Sequence, residues 1–159
     1  MGIHLNQNEM ERLQDDEMER LRVPKRSRMF LRLASPQIVN YEFRGQFGHP
    51  TSYAFVQFEC APANELSFES RATWPDTMSQ EYRATHERAV AEAVADALLE
   101  GVHQHYGCTV VLTNVRYDEV GSSIAAFMKA AKAAMRGLLA SEWAIVGGPE
   151  TSGSLEPLA

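Results

Sequence analysis

The run Thr109-Val-Val-Leu-Thr-Asn-Val115-Arg-Tyr117-Asp118 passes through Glu119-Val-Gly121-Ser122-Ser123 into Ile124-Ala-Ala-Phe127-Met128-Lys-Ala-Ala131-Lys-Ala-Ala-Met135-Arg-Gly-Leu138. Its first part, from Thr109 to Tyr117, is rich in β-branched residues and apolar on both faces in its first half, which predicts a well-buried strand. Gly121 marks a turn, and either Ser122 or Ser123 can cap the helix that follows. In that helix Ile124, Phe127, Met128, Ala131, Met135 and Leu138 form an apolar stripe, with Lys129, Lys132 and Arg136 off it.

Upstream, Val90, Val94, Ala97, Leu98 and Val102 recur at helical spacing in an alanine-rich stretch. Pro75 and Asp76 break the preceding pattern, Ser79 is placed to cap a helix beginning near Gln80, and Gly101 is a candidate stop. Further back, Ala54, Val56, Phe58 and Cys60 alternate with Tyr53, Phe55, Gln57 and Glu59, the period of a strand. After the turn residues Pro62 and Asn64, Leu66, Phe68, Ser70 and Ala72 alternate again, and the two strands read as a hairpin. An additional strand over Ser27 to Leu33 would sit at a sheet edge with its charges in water. The predicted order is strand, strand, helix, strand, helix behind that extra strand, an α+β two-layer fold with two helices on one face of a mixed sheet.

The ends differ in character. Residues 1–40 read as an N-terminal arm, residues 41–143 as the folded domain, and residues 144–159 as a disordered tail, Gly-Pro-Ser-rich from Gly147. In the arm, Met10, Leu13, Met18 and Leu21 form a loose helical stripe, compatible with a short amphipathic helix or with a disordered segment, and Pro24 ends it. A basic strip follows, with Arg20, Arg22, Lys25, Arg26, Arg28 and Arg32. It reads as a solvated strand face or as a strip that contacts phosphates.

The 159 residues carry 45% hydrophobic side chains, enough for one core without disulfide or metal, and a net charge of −6, which argues against a uniformly basic nucleic-acid binder. Two cysteines, Cys60 and Cys108, fit a reducing compartment. No apolar run is long enough to cross a bilayer and the first residues are polar and acidic, so the expected location is cytoplasmic.

Several motifs carry the functional reading. Arg44-Gly45-Gln46-Phe47-Gly48-His49 precedes a strand; its glycines permit close backbone approach, and Arg44 and Gln46 can donate to phosphates or carbonyls. This hexapeptide, the helix Val90–Gly101, the Tyr106-Gly107 step, Tyr117-Asp118 and Glu119-Val120-Gly121-Ser122-Ser123 together resemble the fourth domain of elongation factor G, over residues 44 to about 140 with gaps. The resemblance implies a ribosomal-protein-like fold with a left-handed βαβ crossover. It also implies a tip, formed by the Arg44–His49 loop and the loop before the Ser122-Ser123 helix, that meets the ribosomal decoding site and transfer RNA. This sequence departs from the family pattern in the second loop, where Tyr117-Asp118 runs directly into Glu119 and the family's Gly, Ser, Tyr and His are missing. Glu42, Asp118 and Glu119 thus stand near the tip, where carboxylates oppose phosphate binding.

The expected function is a non-catalytic, stand-alone, translation-associated module that binds the ribosome or structured RNA through Arg44, Gln46, His49, Arg26, Arg28 and Arg32. The rival expectation is a protein-interaction or homo-oligomerising domain without RNA contact. No cofactor or metal is expected: His103, His105 and Cys108 lack a fourth ligand and read as a polar helix end, and His86 and Glu87 read as a solvated helix face. No Gly-x-x-x-x-Gly-Lys-Ser/Thr loop is present, so GTP binding of that type is not expected.

Overall fold

A computed structural model describes residues 2–13, 29–45, 52–100 and 103–146. The elements in order are β1 (His4–Leu5), α1 (Gln7–Leu13), β2 (Met29–Leu33), β3 (Gln37–Arg44), β4 (Tyr53–Pro62), β5 (Ser67–Ser70), α2 (Gln80–Leu99), β6 (His103–Arg116), α3 (Ile124–Leu139) and β7 (Trp143–Ile145). The architecture is α+β, with the described strands in one mixed sheet and helices packed on it.

β6 organises the sheet. β4 runs antiparallel to it from Phe55↔Arg116 to Pro62↔Cys108, and β5 runs parallel to it from Ser67↔Thr109 to Ser70↔Leu112. Residues 109–112 therefore have β4 on one edge and β5 on the other. The expected β4–β5 hairpin is not formed: β6 lies between the two strands. The physical reason is burial. An Ile/Val/Leu-type strand apolar on both faces gains most at the centre of a sheet, and Val110, Leu112 and Cys108 are wholly buried there.

β6 also begins well before Thr109. His103 to Gly107 pair with β2, parallel, and β2 pairs with β7, antiparallel. β2 is thus an interior strand, not the edge strand expected from its charges. The residues read as a polar helix end belong to β6, where His105 meets Trp143 edge-on with ring centroids 4.5 Å apart. Gly107 makes the approach of β2 feasible, since a Cβ there would lie 2.7 Å from the Arg32 Cα. A bulge at Gln57/Phe58 takes up Thr113 as the extra residue, with Thr113 Oγ1 donating to Gln57 O at 3.2 Å. The shift turns Val115 inward together with Val110 and Leu112, which a strict alternation would not allow.

The covered face carries Ala54, Val56, Phe58, Phe68, Val110 and Leu112, all with 0% exposure. Against it pack Val90, Val94 and Leu98 of α2 and Phe127, Ala131, Met135 and Leu138 of α3, in one cluster. Ser79 Oγ accepts from Tyr82 N and Ser123 Oγ from Ala126 N, so both helices start on a serine cap. Ser122 is not the cap; its hydroxyl donates to Tyr53 O at 2.8 Å and ties the loop to the start of β4.

The N-terminal segment joins the same core. Asn6 and Glu9 cap α1 reciprocally, Asn6 N donating to Glu9 Oε1 at 2.9 Å and Glu9 N to Asn6 Oδ1 at 3.0 Å. Met10 is completely buried, β1 pairs with β5, and α1 packs on α2. Met18, Leu21 and the tail from Gly147 lie outside the described residues, as does Gly101.

α2 buries more than its apolar stripe. His86 and Glu87, expected on a solvated face, are 0% and 2% exposed. The segment after β5 folds back over them: Trp74 Nε1 donates to Glu87 Oε2 at 2.9 Å, and Ser70 Oγ donates to the same oxygen. The His86 ring lies among Trp74, Tyr82, Tyr117 and Phe127, all within 5.7 Å between centroids.

Candidate functional site

The sheet face that no helix covers among the described residues is set by the same alternation that builds the core. The partners of the buried positions point the other way, so Arg44, Glu42 and Asn40 of β3 lie beside Tyr53, Phe55 and Gln57 of β4. Arg116 and Asn114 of β6 lie beside Phe55 and Gln57 in turn. At the end nearest the connections out of β3 and β6, charge and ring faces interleave. The Arg44 guanidinium lies over the Tyr53 ring at 5.3 Å, and that of Arg116 over the Phe55 ring at 4.4 Å.

Glu42 links these groups. Its Oε2 accepts from Arg44 Nη2 at 3.2 Å and from Tyr53 Oη at 2.8 Å. Burial first, and then the Glu42 hydrogen bond, push the Tyr53 hydroxyl above its ordinary pKa, with Arg116 pulling in the opposite direction. Tyr53 therefore stays a neutral donor at neutral pH. The Arg44–Glu42 pair is exposed, and such pairs hold their partners weakly, so the guanidinium can be shared with an incoming anion.

The second loop is tied down on this same end. Tyr53 N donates to Gly121 O at 2.9 Å, Asp118 N to Ser122 Oγ at 2.8 Å, and Ser122 N to Asp118 O at 2.7 Å. The Asp118 carboxylate closes a local turn by accepting from Val120 N at 3.0 Å, and Glu119 accepts from Thr77 Oγ1 at 3.1 Å. The three carboxylates that the sequence sets against phosphate are thus each engaged by a protein donor. Ser122 and Ser123 are both committed to backbone groups, Ser122 Oγ donating to Tyr53 O and Ser123 Oγ accepting from Ala126 N.

Of the residues singled out from the sequence, Arg44 lies in this cluster. Gly45 requires its close approach, since a Cβ would fall 2.3 Å from the Ser52 Cβ. Gln46, His49, Arg26 and Arg28 lie outside the described residues. Arg32 is placed elsewhere. Its partner in β6 is Gly107, nine residues from Arg116, which at strand rise is about 30 Å away. There its Nε donates to Ala63 O at 3.2 Å and its Nη2 to Asn64 Oδ1 at 2.7 Å, beside a cleft of about 60 Å³ that Phe30 and Tyr106 also line. Arg32 and Arg44 therefore do not share one site. Arg116 was missed by the sequence reading; the signal available was its place directly before Tyr117-Asp118, in phase with the open face of β6. Among the described residues no three His, Cys, Asp or Glu side chains are grouped to hold a metal, and no helix is long and apolar enough to cross a membrane.

No protein-family model and no curated protein matches the sequence. A solved structure does: the Thermus thermophilus protein ttk003000868 is 25% identical, with a TM-score of 0.56 over 74% of this chain. This chain corresponds to only 17% of that protein's length, so the fold recurs there as one part of a larger molecule.

Proposed function

We propose that this domain is a non-catalytic module that binds structured RNA, in the translation-associated setting that its resemblance to the fourth domain of elongation factor G implies. The observation that carries this reading is the pair of arginine-on-aromatic stacks, Arg44 on Tyr53 and Arg116 on Phe55, side by side on the open sheet face next to the two loops of the motif resemblance. Guanidinium groups bind phosphates in bidentate fashion and their planes accept unstacked bases, so this end supplies both components of single-strand RNA recognition, with the buried Phe55 ring serving as the support on which Arg116 lies. A hydrogen bond from a neutral donor does not cancel a carboxylate's charge, so Glu42, Asp118 and Glu119 hold phosphate binding at this end to few contacts.

Affinity capture with the tagged chain tests the reading. Ribosomal RNA or ribosomal subunits are expected to co-purify, to be lost on RNase treatment, and to be lost with the Arg44→Ala/Arg116→Ala double variant. Capture of the same protein partners with and without RNase, unchanged in the double variant, would overturn it in favour of a protein-interaction domain.

A further inference from the structure

β3 is the outer strand beside β4 and, among the described residues, pairs with β4 alone. Its hydrogen-bond phase follows from one contact. Gly45 N donates to Ser52 O, so the Gly45–Ser52 pair is hydrogen-bonded. Antiparallel alternation then directs the amides of Phe43, Tyr41, Val39 and Gln37 toward β4, and those of Ile38, Asn40, Glu42 and Arg44 away from it. The donation of Tyr53 N to Gly121 O, away from β3, agrees with this phase. The edge therefore offers a row of outward N–H and C=O groups along residues 38–44, without a proline or bulge to blunt it. Two of the exposed large apolar side chains, Ile38 at 64% and Tyr41 at 42% exposure, sit on this one strand.

We infer that β3 is a self-association edge: two copies of this chain pair antiparallel through residues 38–44 about a two-fold axis at Tyr41, joining their sheets. The register follows from the side chains. With the axis at Tyr41, hydrogen-bonded pairs are Asn40 with Glu42 and Ile38 with Arg44 of the second copy. Val39 faces Phe43, and the two Tyr41 rings face each other in a non-hydrogen-bonded pair, where side chains approach most closely. With the axis at Asn40, Ile38 would face the Glu42 carboxylate. With the axis at Glu42, two carboxylates would stand directly opposite, which is destabilising. The Tyr41 register avoids both and uses nearly the whole strand. The register uses the Arg44 backbone at the end of the paired edge, while its guanidinium stays over the Tyr53 ring on the other side of β3, so dimer formation is read in nuclease-treated protein, apart from RNA binding.

Nuclease-treated protein, studied by sedimentation equilibrium over a concentration series, tests the inference. The wild type is expected to form dimers as concentration rises. Asn40→Pro is expected to abolish them, because it removes an outward N–H while keeping the bonds to β4; circular dichroism verifies that it folds. Register is read separately by cysteine cross-linking. Across the axis the Tyr41 Cα atoms would be about 4.5 Å apart, within disulfide reach, so Tyr41→Cys should form a covalent dimer under mild oxidation and Ile38→Cys should not. The native thiols Cys60 and Cys108 are buried and do not compete. A wild type that stays monomeric up to its solubility limit, a dimer that survives Asn40→Pro, or Ile38→Cys cross-linking as readily as Tyr41→Cys would overturn the inference.

Discussion

Removing the Glu87 carboxylate leaves two buried donors, Trp74 Nε1 and Ser70 Oγ, without their acceptor. Glu87→Ala is expected to destabilise the fold by roughly 1–3 kcal/mol for each donor left unsatisfied, with Glu87→Gln costing less because it keeps an acceptor oxygen. Urea unfolding monitored at Trp74 checks both. The thiols give a second residue-scale prediction. Burial pushes Cys60 from its ordinary 9.0 up to about 12 and raises Cys108 as well. An acid whose folded pKa is raised binds its proton more tightly in the folded state. Its contribution is complete below pH 9 and is lost as pH rises toward about 12. Stability should therefore fall across that alkaline window, and fall less steeply in Cys60→Ala. A thiol reagent at pH 8 should label neither cysteine until denaturant is added. The commitments of His86 and Glu87 were not legible from the sequence, because nothing in a helical wheel shows that the segment around Trp74 returns to cover that face.

Capping and close approach act on whole elements. Ser123→Ala should cost about 1 kcal/mol by uncapping α3, whereas Ser122→Ala should loosen the join of the second loop to β4. Hydrogen exchange distinguishes them: the first variant loosens the α3 N-terminus, the second the amides of Tyr53 and Asp118. Gly107→Ala forces β2 away from β6, because the new Cβ would meet the Arg32 backbone, and its melting temperature should drop more than that of either serine variant. The serine caps and the strand period of β4 could be read directly, since they depend on neighbours within a few residues. The pairing of strands could not. The Ala61–Leu66 connection looks like a hairpin turn, and only the competition for the sheet centre, won by the doubly apolar β6, separates β4 from β5. β3 escaped notice because an edge strand with one half-buried face, Val39 and Phe43, alternates too weakly to stand out.

For the whole molecule, most of the stripe positions expected from periodicity are in the core: Leu98 and Phe127 are fully buried between helices and sheet, while Ala97, Ile124 and Met128 are half-buried. Truncating either to Ala should cost roughly 2–5 kcal/mol by thermal or chemical denaturation. The candidate site is less legible. Arg44 was identified from its motif, but the partnership with Arg116 depends on a three-strand register that no local pattern reveals, and the same register carries Arg32 to the far end of the sheet. A salt titration of binding to ribosomal RNA fragments measures directly the proposed RNA-binding face of Arg44 and Arg116. Two phosphate contacts to a single strand give a slope of about −1.4 in log K against log salt, and each single alanine variant should reduce it by about 0.7. If the Arg44→Ala/Arg116→Ala variant binds as tightly as the wild type at every salt concentration, the open face is not an RNA contact.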